Sequence, residues 1–255
     1  KEGFEYYFNA EVLEDLLKFY ADILPYPVSF QADEGPLVKI NEMSPPWLTP
    51  NISSPEDIMR FGEEYFGEPF MGYIPLKSSA GSVEGVAYII NRRVNAGAQP
   101  TNRVYLRNML LTEGGKGLLP DWAFFLRAVV NTQNLRPTAS REDFYKDDLL
   151  EQTQNELGEL IKQYIKHMAE RNPKLMQRFI AEHSLALKSR AIDDEEILTA
   201  FLDYFPFETS LGAYPFGVLR KMAPVVKYVS KVEQVPPLSS GCGASGNLLV
   251  TAGYG

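Results

Sequence analysis

The stretch that decides the fold spans residues 118–142 and reads LLPDWAFFLRAVVNTQNLRPTASRE. Its large apolar residues recur at the spacing of one helical face, which predicts an amphipathic helix buried along one side. These residues are Trp122, Phe125, Leu126, Val129 and Val130. Pro120 and Asp121 suit the first turn of such a helix. The polar residues that follow are therefore predicted to form a loop that leaves from a firmly anchored element.

Arg141 follows this loop and is placed more like a functional residue than any other in the chain. Ser140 can cap a further helix, with Asp143 as its capping-box partner, which puts the arginine in the first turn of that helix. A cation there opposes the helix macrodipole by about 0.3 to 1 kcal/mol, so Arg141 requires an anionic partner. The spacing favours an internal ion pair, and the alternative is a phosphate bound by the guanidinium and free backbone N–H groups. The acids within reach are Glu142, Asp143, Asp147 and Asp148.

These motifs resemble those of the heat-shock protein 90 chaperone family, whose bacterial type is known as high-temperature protein G. Members carry a leucine-leucine-proline-acid-aromatic motif, a valine-valine-acid-serine turn and an asparagine-x-serine-arginine-glutamate loop. The corresponding residues here are 118–122, 129–132 and 138–142. Residues 25–28 resemble the family's phenylalanine-proline-isoleucine motif, and residues 45–47 resemble its proline-x-tryptophan. The order and spacing resemble the family's middle domain over nearly the whole chain.

The resemblance implies that Arg141 reaches into the ATP site of a preceding domain and holds the γ-phosphate. This implication reverses the preference for an internal ion pair. Ser140 and Glu142 would belong to the same loop, which faces the ATP-binding domain. Tyr145 stands where the family has a glutamine, a second contributor to the ATP site, and Thr138 stands where it has an asparagine. These departures bear on the rate and geometry of ATP hydrolysis.

The resemblance also points to a second loop and to client contacts. Residues 91–102 would be a mobile loop near the nucleotide domain, where Arg92 and Arg93 are predicted to add positive charge near the phosphate. Trp47 has two interpretations: a loop anchor framed by prolines, which the residues favour, or an exposed contact to client protein, which the resemblance implies. Leu110 replaces an aromatic residue of the family and indicates a divergent branch. It is assigned with Trp47 to client binding.

Cofactors and partners are implied in the same way. ATP and Mg²⁺ would bind in the full-length protein, whereas this chain would hold no cofactor or metal and would not hydrolyse ATP alone. The partners would be an N-terminal ATP-binding domain of the same protein, unfolded or partly folded client proteins, and a second copy joined through a C-terminal domain. The implied function is ATP-dependent assistance of protein folding in the stress response.

Two other functions stay open. A transducer domain of a related DNA-processing ATPase, such as a topoisomerase or mismatch-repair protein, would carry a lysine on the sensing loop and a basic surface facing DNA. This chain has Arg141 there and a net charge of -8, which argues against a nucleic-acid partner. The other function is an ATP-independent protein-interaction module of a degenerate paralogue, which Tyr145 keeps open.

Composition argues against several kinds of site. Cys242 is the only cysteine, so an internal disulfide and a cysteine-based zinc site are excluded, as is typical of a reducing compartment. His167 and His183 are not in a metal-ligand pattern, and residues 113–117 lack the spacing of a phosphate-binding loop. No apolar run approaches the roughly 20 residues that cross a bilayer, and no signal peptide is recognisable. We therefore expect a cytoplasmic piece of a longer protein, without a membrane partner.

The pattern of elements predicts an α+β fold. Residues 11–24 and 54–66 are predicted helices, and five strands are predicted at residues 28–31, 37–41, 72–77, 83–90 and 103–112. These would form a sheet with helices against one face, and the resemblance implies an α/β sandwich like that of ribosomal-protein S5 domain 2. We expect residues 1–146 to form this core with the ATP-sensing loop, residues 147–205 a helical bundle, and residues 206–255 an aromatic connector and a small truncated α/β unit.

Overall fold

The computed structural model describes residues 9–33, 35–41, 45–48, 54–95, 97–98, 101–114, 117–209, 212–222, 226–229 and 248–251. The chain divides into two compact units, Lys1–Leu175 and Met176–Gly255. The three-part division made from the sequence, with boundaries after residues 146 and 205, stays a prediction.

The first unit contains helices α1–α3 and strands β1–β7. The helices are Ala10–Ala21 (α1), Pro55–Phe66 (α2) and Asp148–Arg171 (α3). The strands are Ser29–Phe30 (β1), Val38–Lys39 (β2), Phe70–Ser78 (β3), Val83–Ile90 (β4), Arg103–Leu106 (β5), Met109–Thr112 (β6) and Leu126–Thr132 (β7). Helices α1 and α2 begin within one residue of their predicted starts, because the Asn9 and Ser54 side chains accept hydrogen bonds from first-turn N–H groups.

Five strands form the sheet that carries the candidate site. Their order is β3-β4-β7-β5-β6, and β5 runs parallel to β7 while the other neighbours are antiparallel. The predicted α+β fold with a five-stranded sheet is confirmed, but the predicted membership is wrong. Strands β1 and β2 form a separate two-stranded sheet, and the strand predicted over residues 103–112 is divided into β5 and β6. The division falls at Arg107 and Asn108, whose positive φ angles of 54° and 65° turn the chain.

The helix predicted from Trp122 to Val130 is also wrong. Asp121–Ala123 forms one 3-10 turn, and Leu126–Thr132 is β7, which lies between β4 and β5. Apart from Arg127, every residue of β7 is buried, so the strand lacks the apolar and polar alternation of a half-buried strand. Spacing alone does not separate such a short apolar run from a helix. The β-branched Val129 and Val130 favour the strand.

The second unit begins within helix α4 (Pro173–Ala191), which starts in the first unit. Its elements are α5 (Glu195–Phe201), β8 (Pro206–Thr209), β9 (Gly212–Pro215), α6 (Phe216–Met222), β10 (Val226–Val229) and β11 (Leu248–Thr251). Asn172 and Asp194 cap α4 and α5, because their side chains accept hydrogen bonds from first-turn N–H groups. Strands β8–β11 form a four-stranded sheet in the order β10-β11-β8-β9.

The part of the chain predicted to be an aromatic connector and a small α/β unit contains the β8–β9 hairpin, and residues 226–229 form strand β10. Cys242 lies outside the described residues. Within the part of the chain that the structure describes, no helix combines the length and apolar character needed to cross a membrane.

Candidate functional site

Strand β7 ends at Thr132, and hydrogen bonds hold the residues that follow it. The Thr132 hydroxyl donates to the Gly81 carbonyl oxygen at 2.7 Å and accepts from the Leu135 N–H at 3.4 Å. The backbone N–H groups of Gln133 and Asn134 donate to the carbonyl oxygens of residues 82 and 81 at 3.3 and 3.4 Å. Leu135 is buried. The start of the loop is thus joined to the turn between β3 and β4.

Residues 135–147, which we name the Arg141 loop, fold into a short hairpin. The Thr138 N–H donates to the Asp143 carbonyl oxygen at 2.8 Å, and the Tyr145 N–H donates to the Arg136 carbonyl oxygen at 2.9 Å. Phe144 is buried below the tip. At the far end of the loop, the Asp147 carboxylate accepts from the Leu150 N–H at 3.0 Å and caps α3.

The predicted helix start at Ser140 is therefore wrong. Arg141 lies in the turn at the tip of the hairpin, where its N–H donates to the Thr138 carbonyl oxygen at 3.0 Å. The Asp143 carboxylate accepts from the Phe144 N–H at 2.8 Å instead of acting as a capping-box partner. The paired backbone of the hairpin competes with a helix over these residues, and the helix begins at α3 instead.

The Arg141 side chain is exposed, and its guanidinium has no hydrogen bond or ion pair with any described residue. The internal ion pair that the spacing favoured is thus not formed by the described acids. Arg141 has a φ of 57°, a left-handed conformation that costs a residue with a Cβ atom about 1 to 2 kcal/mol. Backbone strain of this kind is typical of functional sites.

The residues around Arg141 are also accessible. Ser140 and Glu142 are exposed, and the Ser140 hydroxyl lies 3.1 Å from the Thr138 hydroxyl. Tyr145 has half of its surface exposed, and the Arg136 guanidinium carbon lies 5.7 Å from the centre of its ring. The loop therefore presents one free cation at its tip and a second arginine packed on an aromatic ring at its base.

Arg92 and Arg93 lie at the other end of the sheet. Ile89 is opposite Leu126 at the start of β7, whereas Val83 is opposite Thr132 at its end. The chain after β4 therefore leaves the sheet about 20 Å from the base of the Arg141 loop, which is the length of a seven-residue strand. The Arg92 Nε atom lies 3.3 Å from a Glu68 carboxylate oxygen, and that carboxylate also pairs with Arg127 at 2.5 Å. The structure does not bring Arg92 and Arg93 together with Arg141.

The two predicted client-binding residues differ in their surroundings. Trp47 is half-buried, and its ring packs edge-on against the Phe61 ring of α2 with a centroid distance of 6.3 Å. This contact is what the loop-anchor interpretation expects. Leu110 lies on β6 and is only 6% exposed. The assignment of Leu110 to a client-binding surface is therefore not supported, because its side chain is in the core.

A partly buried polar cluster, which the sequence analysis does not predict, joins α1, α2 and β5. The Asp22 carboxylate accepts from the Tyr65 hydroxyl at 3.0 Å and from the Tyr105 hydroxyl at 2.9 Å, and the two hydroxyls contact each other. Arg103 donates to the Tyr65 hydroxyl at 3.0 Å and pairs with Glu113 at 2.8 Å. The members come from positions as far apart as residues 22 and 105, so no local motif reveals them. We name Asp22, Tyr65, Arg103 and Tyr105 the tyrosine cluster.

Burial dominates the ionisation of the tyrosine cluster. It raises the pKa of Tyr65 to about 12, with a further contribution from the Asp22 charge, and it raises the pKa of Tyr105 as well. Burial also raises the pKa of Asp22, although the hydroxyls of Tyr105 and Tyr65 and the Arg103 charge oppose that rise. Both tyrosines are therefore neutral donors at neutral pH, and the cluster connects elements of the scaffold.

Among the described residues, no cluster of three or more His, Cys, Asp or Glu side chains is arranged to hold a metal ion. His183 is fully buried on α4 beside Phe179, with 5.1 Å between the ring centres. This position agrees with a packing role for that histidine.

Comparison with known proteins places these features in a family. A model of the family described as "Hsp90 protein" matches residues 89–234, which is more than half of the chain. The TNF receptor-associated protein 1 homolog, mitochondrial, of Dictyostelium discoideum is 21% identical over 215 residues, which cover 81% of this chain and 30% of that protein. Chaperone protein HtpG of Desulfitobacterium hafniense is 23% identical over 222 residues, which cover 82% of this chain and 35% of that protein.

A further relative is Chaperone protein HtpG of Treponema denticola, which is 23% identical over 226 residues, covering 78% of this chain and 34% of that protein. The chain thus spans about a third of the length of the curated relatives that it matches. The matched residues 89–234 include β5, β6, β7 and the whole Arg141 loop. From the family match and these relatives, we conclude that the chain belongs to the Hsp90 protein family.

Proposed function

We propose that this chain is the middle domain of an ATP-dependent molecular chaperone, and that Arg141 completes the ATP site of an N-terminal domain of the same protein. One observation carries the proposal: an exposed guanidinium, with no partner among the described residues, stands at the tip of a loop that is fixed at both ends. Membership of the Hsp90 protein family and the names of the HtpG relatives support the chaperone assignment.

The chemistry of such a guanidinium suits a terminal phosphate. Arginine stays charged at physiological pH, and its planar fork can donate to two phosphate oxygens at once. In phosphoryl transfer, a positioned cation stabilises the negative charge that spreads over the phosphate oxygens. Movement of the two domains together would deliver Arg141 to the nucleotide, and ATP and Mg²⁺ would be bound by the N-terminal domain.

The remaining parts of the proposal follow from the family. We infer that the sheet of the first unit has the ribosomal-protein S5 domain 2-like fold, which its mixed strand order is compatible with. The partners would be the N-terminal ATP-binding domain, unfolded client proteins, and a second copy of the protein joined through a C-terminal domain. The place of action would be the cytoplasm, under conditions that unfold proteins.

The test is ATP turnover by the protein that contains this chain together with its ATP-binding domain. Arg141→Ala should lower kcat by about 100-fold or more, since the arginines that stabilise phosphoryl-transfer charge contribute about that much or more. Lys146→Ala is the matched control, because Lys146 is an exposed cation of the same loop without an ion pair among the described residues. Equal turnover by the two variants would refute the role of Arg141.

Tyr145 supports a second candidate, an ATP-independent interaction module. The ring packs with Arg136 and is half exposed, so it offers an aromatic surface where the family resemblance implies an amide. Tyr145→Gln separates the two candidates. If the protein is an ATPase weakened by the tyrosine, this change should raise kcat, whereas an ATP-independent module should show no turnover before or after the change. The DNA-processing alternative gains no support from the Hsp90 family match.

A further inference from the structure

The turn between β3 and β4 is closed by a carboxylate from α3. Glu156 accepts hydrogen bonds from the Ser78 hydroxyl at 2.6 Å, the Ser79 N–H at 2.8 Å and the Ala80 N–H at 3.3 Å, all on one carboxylate oxygen. The Ser79 hydroxyl lies 3.3 Å from both oxygens. These contacts, with that of Ser78 the largest, hold the pKa of Glu156 below its usual value. We name Ser78, Ser79, Ala80 and Glu156 the Glu156 latch.

The same turn holds the first end of the Arg141 loop. The Gly81 carbonyl oxygen accepts from the Thr132 hydroxyl and the Asn134 N–H, and the Ser82 carbonyl oxygen accepts from the Gln133 N–H. Gly81 packs closely against α3, and a side chain at this position would clash, because its Cβ atom would lie 2.7 Å from the Thr153 hydroxyl. The turn is therefore fitted between α3 and the start of the loop.

The second end of the Arg141 loop runs directly into α3. Asp147 caps that helix, and Glu156 lies nine positions further along the same helix. The loop, α3 and the β3–β4 turn thus form a ring that the Glu156 latch closes. The rest of the ring consists of the covalent chain, backbone hydrogen bonds, the Thr132 hydroxyl and the close packing of Gly81 against Thr153.

We propose that Glu156 is a positioning residue for Arg141, which rests on the proposed function of that arginine. By holding the turn against α3, Glu156 fixes the base of the loop relative to its far end, and so sets where the guanidinium stands. Placement matters for a residue of this kind, because an error of about 1 Å in the position of a reacting group can cost about 100-fold in rate. The competing explanation is that Glu156 only stabilises the turn.

The experiment uses the protein that contains this chain and its ATP-binding domain. Glu156→Gln keeps the shape of the side chain and removes the charge that the N–H donors bind. We expect kcat for ATP to fall by about tenfold while KM for ATP changes less than about twofold, since ATP is bound by the other domain. Glu159→Gln on the same helix is the control, because the described contact of Glu159 is with Lys162 and lies outside the ring. It should leave kcat unchanged.

A positioning role also predicts non-additivity with Arg141. In an Arg141→Ala background, Glu156→Gln should lower kcat no further, because the group that it positions is gone. A tenfold loss in both backgrounds, or a lowered Tm with unchanged kcat, would reject the inference and leave a purely structural role. If Arg141→Ala alone retains full turnover, the proposed function fails instead, so the two failures are distinguishable.

Two further measurements keep the inference testable if Glu156→Gln folds poorly. Ser79→Ala is milder, because Ser79 is exposed and keeps its backbone N–H to the carboxylate. It should give a smaller loss of kcat in the same direction. Hydrogen exchange reports the base of the loop without reference to ATP, and the amides of Gln133 and Asn134 should exchange faster in both variants than in Glu159→Gln. Unchanged exchange and unchanged kcat in Ser79→Ala would overturn the proposal.

Discussion

Arg141 combines two properties at the scale of the single residue, a free charge and a left-handed backbone. Replacement by alanine removes the charge and keeps the strained backbone, whereas replacement by glycine removes both. This separation distinguishes what the arginine does for activity from what its conformation does to stability.

Comparing Arg141→Gly with Arg141→Ala makes that separation. Glycine adopts the observed φ of 57° without a Cβ clash, so Arg141→Gly should be more stable than Arg141→Ala by about 1 kcal/mol. ATP turnover should be lost equally in both, because neither carries a guanidinium. Urea unfolding of the two variants supplies the stability difference. A less stable glycine variant would mean that the loop is not strained at this residue.

Tyr65 gives a prediction at high pH. Its pKa is raised to about 12 in the folded protein from an ordinary value of 10.0, so the folded state holds the proton more tightly than the unfolded state. The stability that Tyr65 contributes is complete below pH 10 and is lost as the pH rises from 10 towards 12. Tyr65→Phe should make the unfolding free energy fall less steeply over that range. The exposed Tyr26 provides the control, and Tyr26→Phe should keep the wild-type slope.

At the scale of elements, the central position of β7 depends on close contact with β4. Gly85 faces Val130 across the strands, and a Cβ atom at Gly85 would lie 2.4 Å from the Val129 carbonyl oxygen. Gly85→Ala should therefore force the strands apart and cost about 1 to 3 kcal/mol, the usual range for overpacking. Gly97→Ala should be tolerated, because nothing lies within 4 Å of a Cβ atom there. Thermal unfolding of both variants checks the difference.

The elements also show what a sequence can predict and where it cannot. Helix starts at Ser54, Asn172 and Asp194 were predictable, because each cap is a local hydrogen bond between neighbours in the chain. Strand β7 was not, since its central place in the sheet comes from pairing with β4 and β5, which lie at distant positions in the sequence. The hairpin of the Arg141 loop was missed for a related reason: Ser140 is a good cap in isolation, but pairing of Pro137 with Phe144 outweighs it.

The exposed position of Arg141 in a loop could be expected from the sequence, but the contacts that support the loop could not. The residues around Arg141 predict a loop at this position, and the structure places Arg141 on an exposed tip. The loop that carries it is supported by Thr132, Gly81 and Glu156. These residues lie on β7, the β3–β4 turn and α3, which are distant in the sequence and come together only when the chain folds. The grouping of Arg92 with Arg141 came from resemblance, and the register of β4 on β7 separates them.

At the scale of the whole molecule, a net charge of -8 and the proposal that ATP binds in another domain lead to two predictions. The 255-residue chain alone should show no ATP turnover and no shift of its Tm on addition of Mg-ATP, because a ligand stabilises only a protein that binds it. It should also fail to shift duplex DNA at 100 mM salt, since non-specific DNA binding relies on clustered cations. Turnover by the isolated chain would overturn the assignment of ATP to another domain.

Backbone hydrogen bonds close the Arg141 loop below its tip, one between Thr138 and Asp143 and one between Arg136 and Tyr145. Substitution at the exposed Ala139 therefore leaves those bonds intact. A cysteine introduced there, with Cys242 replaced by serine, would be the sole thiol of the chain and could carry a fluorophore. In a protein that joins this chain to its proposed ATP-binding domain, with any other thiols also replaced, energy transfer from that dye to a labelled nucleotide would measure how close the tip comes to the nucleotide.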